Sequence, residues 1–389
     1  MSARTYLLAA GAFAVGTSAY VVSGVLPTVS AELGVSLTAA GQLTTAFALA
    51  YAVSAPLLAT LTARWERRSL LLAALLVAAL GNAVSAVATT YPLLLGGRVV
   101  AALGAAAFTP AATLFATALR PPAERGRTVA IVFGGLTVAL ALGVPAGSLL
   151  AGSLGYRGVF GLVAVVSLAM AVAVRMRLPL MAGAPAVPLR ERFAVAADRR
   201  VLMVLAVTVF GVVATMSVYI YVVPLLTVTT GLGTSAIGGL LLVYGLGAIL
   251  GNAWGGRATD RFGSIPTLLA VIAGFIVMIA TLPLTATTTV GAAVALFVWS
   301  VFTWSFNPPV QTLLLNLAPS GGLVLSLNAS AIYLGMGLAG VLGGVVIDVA
   351  GVLVLPEIAA ALGLVVLALL VGLRARIRRA PVPEPVSVG

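Results

Sequence analysis

Twelve apolar runs of about bilayer-crossing length follow one another along the chain with short polar breaks between them, which leaves few folds open to it. The first six lie at about 6–26, 41–62, 69–89, 92–119, 128–152 and 158–174. The second six lie at about 201–226, 235–256, 265–284, 290–317, 323–349 and 356–373. Composition agrees, since 61% of the 389 residues are hydrophobic and 8% charged, against about 45–50% and 25% in soluble domains. The expected fold is therefore an all-α membrane protein with twelve transmembrane helices in two pseudo-symmetric six-helix bundles.

The expected organisation is a first bundle at 1–174, a linker at 175–200, a second bundle at 201–373 and a tail at 374–389. The linker holds Pro179, Pro185, Pro188 and six arginines, and the tail after Arg379 reads as disordered. The first residues resemble a signal peptide, but further spans follow at once, so an uncleaved first helix is expected. Short arginine-rich loops stay in the cytoplasm. That rule puts inside the loops with Arg64, Arg67 and Arg68, with Arg120, Arg125 and Arg127, and with Arg257 and Arg261, together with the linker and the tail. Outside loops hold Arg157, Glu32, Asp348 and Glu357. Both termini are thus expected to be cytoplasmic.

Several chemistries are disfavoured. The chain has no cysteine and no histidine, which removes thiolate nucleophiles, the commonest general base and the commonest metal ligands. No cofactor, metal or enzymatic activity is expected. The formal charge of +12 is spread between apolar runs instead of clustered on one face, which argues against nucleic acid as a partner.

An internal repeat is visible. LATLTARWERR after the second run and WGGRATDRFGS after the eighth stand 197 residues apart when Ala59 is matched to Gly256. Duplicated halves related by an axis along the membrane normal bind substrate between them, near the midplane.

The 255–263 segment, GGRATDRFG, closely resembles the signature that the major facilitator superfamily carries between helices 2 and 3 and, in weaker form, between helices 8 and 9. In the first half Ala59, Ala63 and Glu66 stand where the glycine, the aspartate and the second glycine of that signature belong. Other strings, among them GTSAYVVSGVLPTVSAELGVS, GYRGVF and LNASAIYLGMGLAGVLGG, resemble the branch of arabinose-exporter and chloramphenicol-resistance permeases in order and spacing. GGLTVALALGVPAGSLLAG resembles the helix 5 antiporter motif through Gly134, Gly143, Pro145 and Gly147.

The resemblance implies a secondary transporter of the drug/proton antiporter branch in a bacterial inner membrane. It implies export of a neutral or amphipathic small molecule, such as an amphenicol-like drug or a sugar, by alternating access in exchange for protons. An uncoupled or importing facilitator of a small metabolite is the alternative. Expected gating residues are Arg64, Arg68, Gly256, Asp260, Arg261 and Gly263, whose charge-assisted contacts would hold the inner side shut. A solvated tight turn is the other reading of that loop, and ordinary small-residue packing is the other reading of the helix 5 glycines.

Arg98 is the one charge well inside a span. It would line a wet cavity or snorkel to the outer interface. With helices 1, 4, 7 and 10 expected to line the cavity, the candidate substrate contacts are Thr17, Tyr20, Arg98, Thr109, Tyr219, Asn307 and Gln311. Asn307, Pro308 and Pro309 should interrupt helix 10. No carboxylate sits well inside any span, and Ala19 stands where relatives of the branch often have Glu. Neutral or weakly anionic cargo follows from that absence. Asp260 and Asp348 remain the candidates for carrying a proton, and the expected unit is a monomer.

Overall fold

A computed structural model describes residues 3–121, 125–183, 190, 197–318 and 321–378. Pro185, Pro188, Arg192 and the tail from Arg379 onward lie outside the described residues. The long elements are all helices. The first half comprises α1 (Ala3–Leu33), α2 (Leu37–Leu61), α3 (Arg67–Val87), α4 (Tyr91–Ala118) and α5 (Arg125–Arg177). The second half comprises α6 (Arg199–Ile220), α7 (Val222–Thr230), α8 (Thr234–Phe262), α9 (Ser264–Thr285), α10 (Thr289–Trp304), α11 (Asn307–Leu317), α12 (Gly321–Ala350) and α13 (Leu355–Arg378).

These helices make twelve crossings because three of the junctions are breaks of specific kinds. At Gly155, α5 reverses direction through a backbone at φ 62° and ψ 176°, a left-handed conformation that glycine adopts without a Cβ penalty. The turn is fastened to the end of α3: the Tyr156 hydroxyl donates to Ala88 O at 2.6 Å and Arg157 Nε to the same oxygen at 3.2 Å. The interruption expected at 307–309 falls at Ser305 and Phe306, just before two prolines that lack an N–H to continue the ladder. Ser305 Oγ pins this break by donating to Gly251 O at 2.8 Å, on α8. A third break, at Tyr221 between α6 and α7, falls inside the run at 201–226 that reads as one uninterrupted span.

Pairing follows the repeat. In the first half α1 packs on α5, α2 on α4, and α3 on α4 and on the second arm of α5; in the second half α6 packs on α12, α8 on α10, and α9 on α10 and α13. The two halves meet along α2 with α12 and along α5 with α8, which are equivalent pairs under exchange of the halves. Small residues make these seams. A Cβ on Gly245 of α8 would stand 2.5 Å from Ala141 O of α5, and one on Gly337 of α12 would stand 2.7 Å from Leu49 Cδ2 of α2. In hydrocarbon, where apolar side chains gain nothing by leaving lipid, such close backbone approach drives helix association. The outer faces carry exposed aliphatics such as Leu80, Val165, Leu250, Val277 and Leu364, the surface of a multi-pass membrane protein.

Candidate functional site

Between the halves lies a cavity of about 1200 Å³. Successive crossings alternate in direction, so the α2–α3 turn, the α8–α9 turn and the α5–α6 segment share one end of the bundle, the arginine-rich end. The cavity runs from the middle of the bundle to that end. Tyr20, Tyr51, Thr215 and Tyr333 line its deep part, and Thr62, Ala63, Arg67 and Thr117 line its mouth.

The opposite end is shut by contacts across the seam between α2 and α12. Thr38 Oγ1 donates to Asp348 Oδ1 at 2.6 Å, and Gln42 Nε2 donates to Gly340 O at 3.2 Å. The Tyr221 hydroxyl donates to the same Gly340 O at 3.0 Å. The break after α6 thus brings Tyr221 against Gly41 and Gly343, where no side chain would fit. At the deep end of the cavity the Tyr51 and Tyr333 rings, one from each half, stack with centroids 3.6 Å apart and planes 19° apart.

Of the residues expected to contact substrate, Tyr20, Thr109, Asn307 and Gln311 are in the cavity wall. Thr17, Arg98 and Tyr219 do not line this cavity. Tyr219 is packed under Tyr244, with ring centroids 4.6 Å apart, and meets Trp299 edge-on. Arg98 is fully buried inside the first bundle and does not reach the outer interface. Its Nη2 donates to Ser18 O at 2.6 Å and its Nη1 to Ser18 Oγ at 3.2 Å, and Ser18 Oγ in turn donates to Asn82 Oδ1. The guanidinium carbon also lies 4.6 Å from the Phe47 ring centroid and 5.3 Å from that of Phe160. Aromatic faces stabilise such a weakly hydrated cation away from water.

The loop residues divide as well. Gly263 turns α8 into α9 at φ 83°, which accounts for a glycine there. Gly256 has open space around it, whereas a Cβ on its neighbour Gly255 would stand 2.6 Å from Ser305 O. The close approach belongs to Gly255. Asp260 and Arg261 are exposed, Arg261 lies over Phe262, and Asp260 makes no ion pair among the described residues. In the helix 5 motif, Gly147 packs on Val21 of α1, and Gly143 faces Thr17 and Tyr20 with room to spare. Gly134 lines the cavity, and Pro145 lies within α5.

Glu66, which stands at a glycine position of the signature, caps α3. Its carboxylate accepts from Arg68 N, Ser69 N and Ser69 Oγ, and from Met181 N of the segment that follows α5 at 2.8 Å. Arg67 N donates back to Met181 O at 2.8 Å, and Arg68 Nη1 donates to Leu178 O at 3.2 Å. Desolvation pushes this carboxyl up, but the donors from Met181, Ser69 and Arg68 together outweigh it and hold it down to about 2. Arg64 lies against Gly183 of the same segment. The signal for the cap was the glutamate three residues before Ser69; nothing local announced its partner 115 residues away.

Comparison with known proteins places this architecture. Residues 8–340 match the family model of the Major Facilitator Superfamily. An uncharacterised MFS-type transporter of Bacillus subtilis, YbcL, is 34% identical over 346 residues, 89% of each chain. A chloramphenicol resistance protein of Streptomyces lividans is 38% identical over 280 residues, 70% of each chain. Among solved structures, a bacterial homologue of the human lysosomal transporter Spinster superposes with a TM-score of 0.76 at 18% identity, covering 98% of each chain. With its paired bundles, its seam-lined cavity and these relatives, the chain belongs to the Major Facilitator Superfamily and is a membrane transporter, not an enzyme.

Proposed function

We propose that this protein is a secondary active exporter of a neutral or amphipathic small molecule, driven by proton influx across a bacterial inner membrane. One observation carries the reading. The cavity between the halves is open at one end, latched at the other, and walled without a carboxylate among the described residues. A cationic cargo would find no counter-charge there, while Tyr20, Asn307 and Gln311 offer neutral hydrogen bonds on an otherwise apolar wall. With arginine-rich loops assigned to the cytoplasm, both termini are inside and the cavity is inward-facing.

In this reading the bundles 1–174 and 201–373 rock as a monomer, joined by the linker 175–200, with the tail 374–389 inside. Asp260 and Arg261 serve closure of the cytoplasmic end, Thr38 and Asp348 closure of the other, and the proton passes through Asp348 or Asp260. The likeness to a chloramphenicol resistance protein supports an amphenicol-like cargo and the outward direction; a sugar is the second cargo class. Inside-out vesicles supply the test, with chloramphenicol and arabinose as probes. Accumulation of either that vanishes with a protonophore is expected. Uptake that only equilibrates and ignores the protonophore would instead establish an uncoupled facilitator, a reading favoured by the carboxylate-free wall.

A further inference from the structure

The cavity wall carries a single charge. Among the described residues that line it, Arg67 is the only arginine, lysine, aspartate or glutamate. It is the first residue of α3, at the mouth, and it is 9% exposed. Its backbone is fixed, since Arg67 N donates to Met181 O at 2.8 Å. Its side chain makes no hydrogen bond, ion pair or aromatic contact among the described residues. Arg98, the other buried arginine, is by contrast met by Ser18 and by two aromatic rings.

The acids that could neutralise Arg67 are engaged or placed elsewhere. Glu66, its neighbour in sequence, has both carboxylate oxygens occupied: Oε1 accepts from Arg68 N and Met181 N, and Oε2 from Ser69 N and Ser69 Oγ. With the 197-residue offset, Ala63 stands at the place of Asp260, so the first half has no acid four residues before Arg67. Asp260 itself is exposed on the second half, and Asp198 caps α6 by accepting from Arg200 N. Asp348 is held by Thr38 at the latched end, where Glu32 and Glu357 also lie. The repeat leaves the charge on one side only, because Ser264 occupies the place of Arg67 in the second half and does not line the cavity.

A guanidinium drawn nine-tenths out of water costs free energy unless an opposite charge meets it. Around it the mouth offers Thr62, Ala63, Leu70 and Thr117, and the shaft beyond is walled by residues such as Ala55, Ala59 and Pro110. Low-dielectric walls of this kind screen the field of one cation poorly and focus it along the opening. The planar fork of arginine fits a carboxylate through two parallel N–H bonds. One positive charge balances one negative charge; a dianion would carry a second into the apolar shaft with nothing to meet it.

We propose that Arg67 forms an anion subsite at the cavity mouth and that the cargo is an amphipathic monoanion, its carboxylate on Arg67 and its apolar body in the shaft. The inference rests on the cavity being the cargo site, as argued above, and narrows the amphipathic class to organic weak acids. The probes are 4-ethylbenzoate and 4-ethylbenzamide, which share a shape and differ in charge at neutral pH. They are titrated calorimetrically against the full-length protein in phosphatidylcholine nanodiscs, with empty nanodiscs as the blank.

The wild type should bind the benzoate about tenfold or more tightly than the benzamide, the difference that hydrogen bonds to a charged group make. Arg67→Gln should abolish that preference by weakening the benzoate alone, with the benzamide within twofold. Arg67→Lys keeps the charge without the fork and should retain only part of the preference. Arg257→Gln removes an exposed charge of α8 that does not line the cavity and should leave the preference intact. A preference that survives Arg67→Gln overturns the subsite; should that variant not fold, an undiminished preference in Arg67→Lys does so. Equal affinities of the two probes for the wild type remove the subsite and leave the cargo site standing. If neither probe binds the wild type, the cargo-site reading of the cavity falls, and the subsite with it.

Discussion

Thr38 of the first half donates a 2.6 Å hydrogen bond to the Asp348 carboxylate of the second, at the end of the bundle remote from the cavity mouth. Gln42 and Tyr221 both donate to Gly340 one turn or two deeper along the same seam. These bonds exist only while that end is shut, so they bias the two-state equilibrium by whatever they contribute. Thr38→Val keeps the side-chain shape and removes one bond, worth about 1 kcal/mol at an exposed site, or roughly a fivefold shift in population. The chain has no cysteine, so a single Ala55→Cys in the cavity wall reports mouth access by maleimide labelling. Labelling should slow, by up to about fivefold, when Thr38→Val is added. An unchanged rate would mean that this bond does not weigh on the balance.

Three glycines of the helix 5 motif should behave differently on replacement by alanine. Gly147 faces backbone, with a Cβ there 2.8 Å from Val21 O, and a packed helix pair cannot yield as a flexible side chain can. Overpacking of this kind costs about 1–3 kcal/mol. Gly143 meets its neighbours at ordinary contact distance, 3.6 Å or more, and Gly134 meets nothing within 4 Å. Thermal unfolding in detergent should therefore place Gly147→Ala several degrees below wild type, with Gly143→Ala and Gly134→Ala close to it. If all three fall together, the motif acts as a unit and not through its one tight contact.

Arg98 separates burial from function. It lies outside the cavity wall, held by Ser18 and by the rings of Phe47 and Phe160. Arg98 is a desolvated cation with no ion pair among the described residues, so an apolar residue of similar length removes that desolvation cost, whereas truncation leaves a void costing about 2–5 kcal/mol. Arg98→Met should hold or raise the melting temperature, and Arg98→Ala should lower it. Neither should change the affinity of a probe bound in the cavity. Loss of binding in a well-folded Arg98→Met protein would contradict this placement.

How far the sequence reaches can be judged from these same residues. The twelve spans were legible because bilayer thickness fixes helix length, and the pairing of halves was legible in the offset between Ala59 and Gly256. The break at Tyr221 was passed over although its local cause is in the sequence: Pro224 has no N–H for the Ile220 carbonyl and its ring crowds that carbonyl. Facing was the weakest point. In a membrane bundle the polar contrast that marks a buried side is muted, so nothing local separated Arg98 from a cavity residue, or Gly255 from Gly256. Tyr51 and Tyr333 went unremarked for the same reason: Tyr51 follows Phe47 by one turn on α2, Tyr333 stands alone on α12, and only the assembled seam makes them a pair.

Glu66 yields the last prediction, and its sign can be worked out. Donors from Met181, Ser69 and Arg68 outweigh desolvation and hold the carboxyl at about 2, below its ordinary 4.5. A group depressed in this way contributes stability that is fully present above the ordinary value and is lost as pH falls toward the depressed one. The clamp between the α2–α3 turn and the segment 178–183 should therefore be constant from pH 8 to pH 5 and loosen only below about 4.5. Its readout is the Met181 amide, which donates directly to Glu66 Oε1. Glu66→Ala removes the cap and the clamp together, a loss of about 1 kcal/mol for the cap alone, and should speed hydrogen exchange at Met181 about fivefold or more at neutral pH. In the wild type, corrected exchange at that amide should stay flat over the upper range. A rise already between pH 7 and pH 5 would mean that the carboxyl titrates near its ordinary value and that Glu66 does not hold the segment.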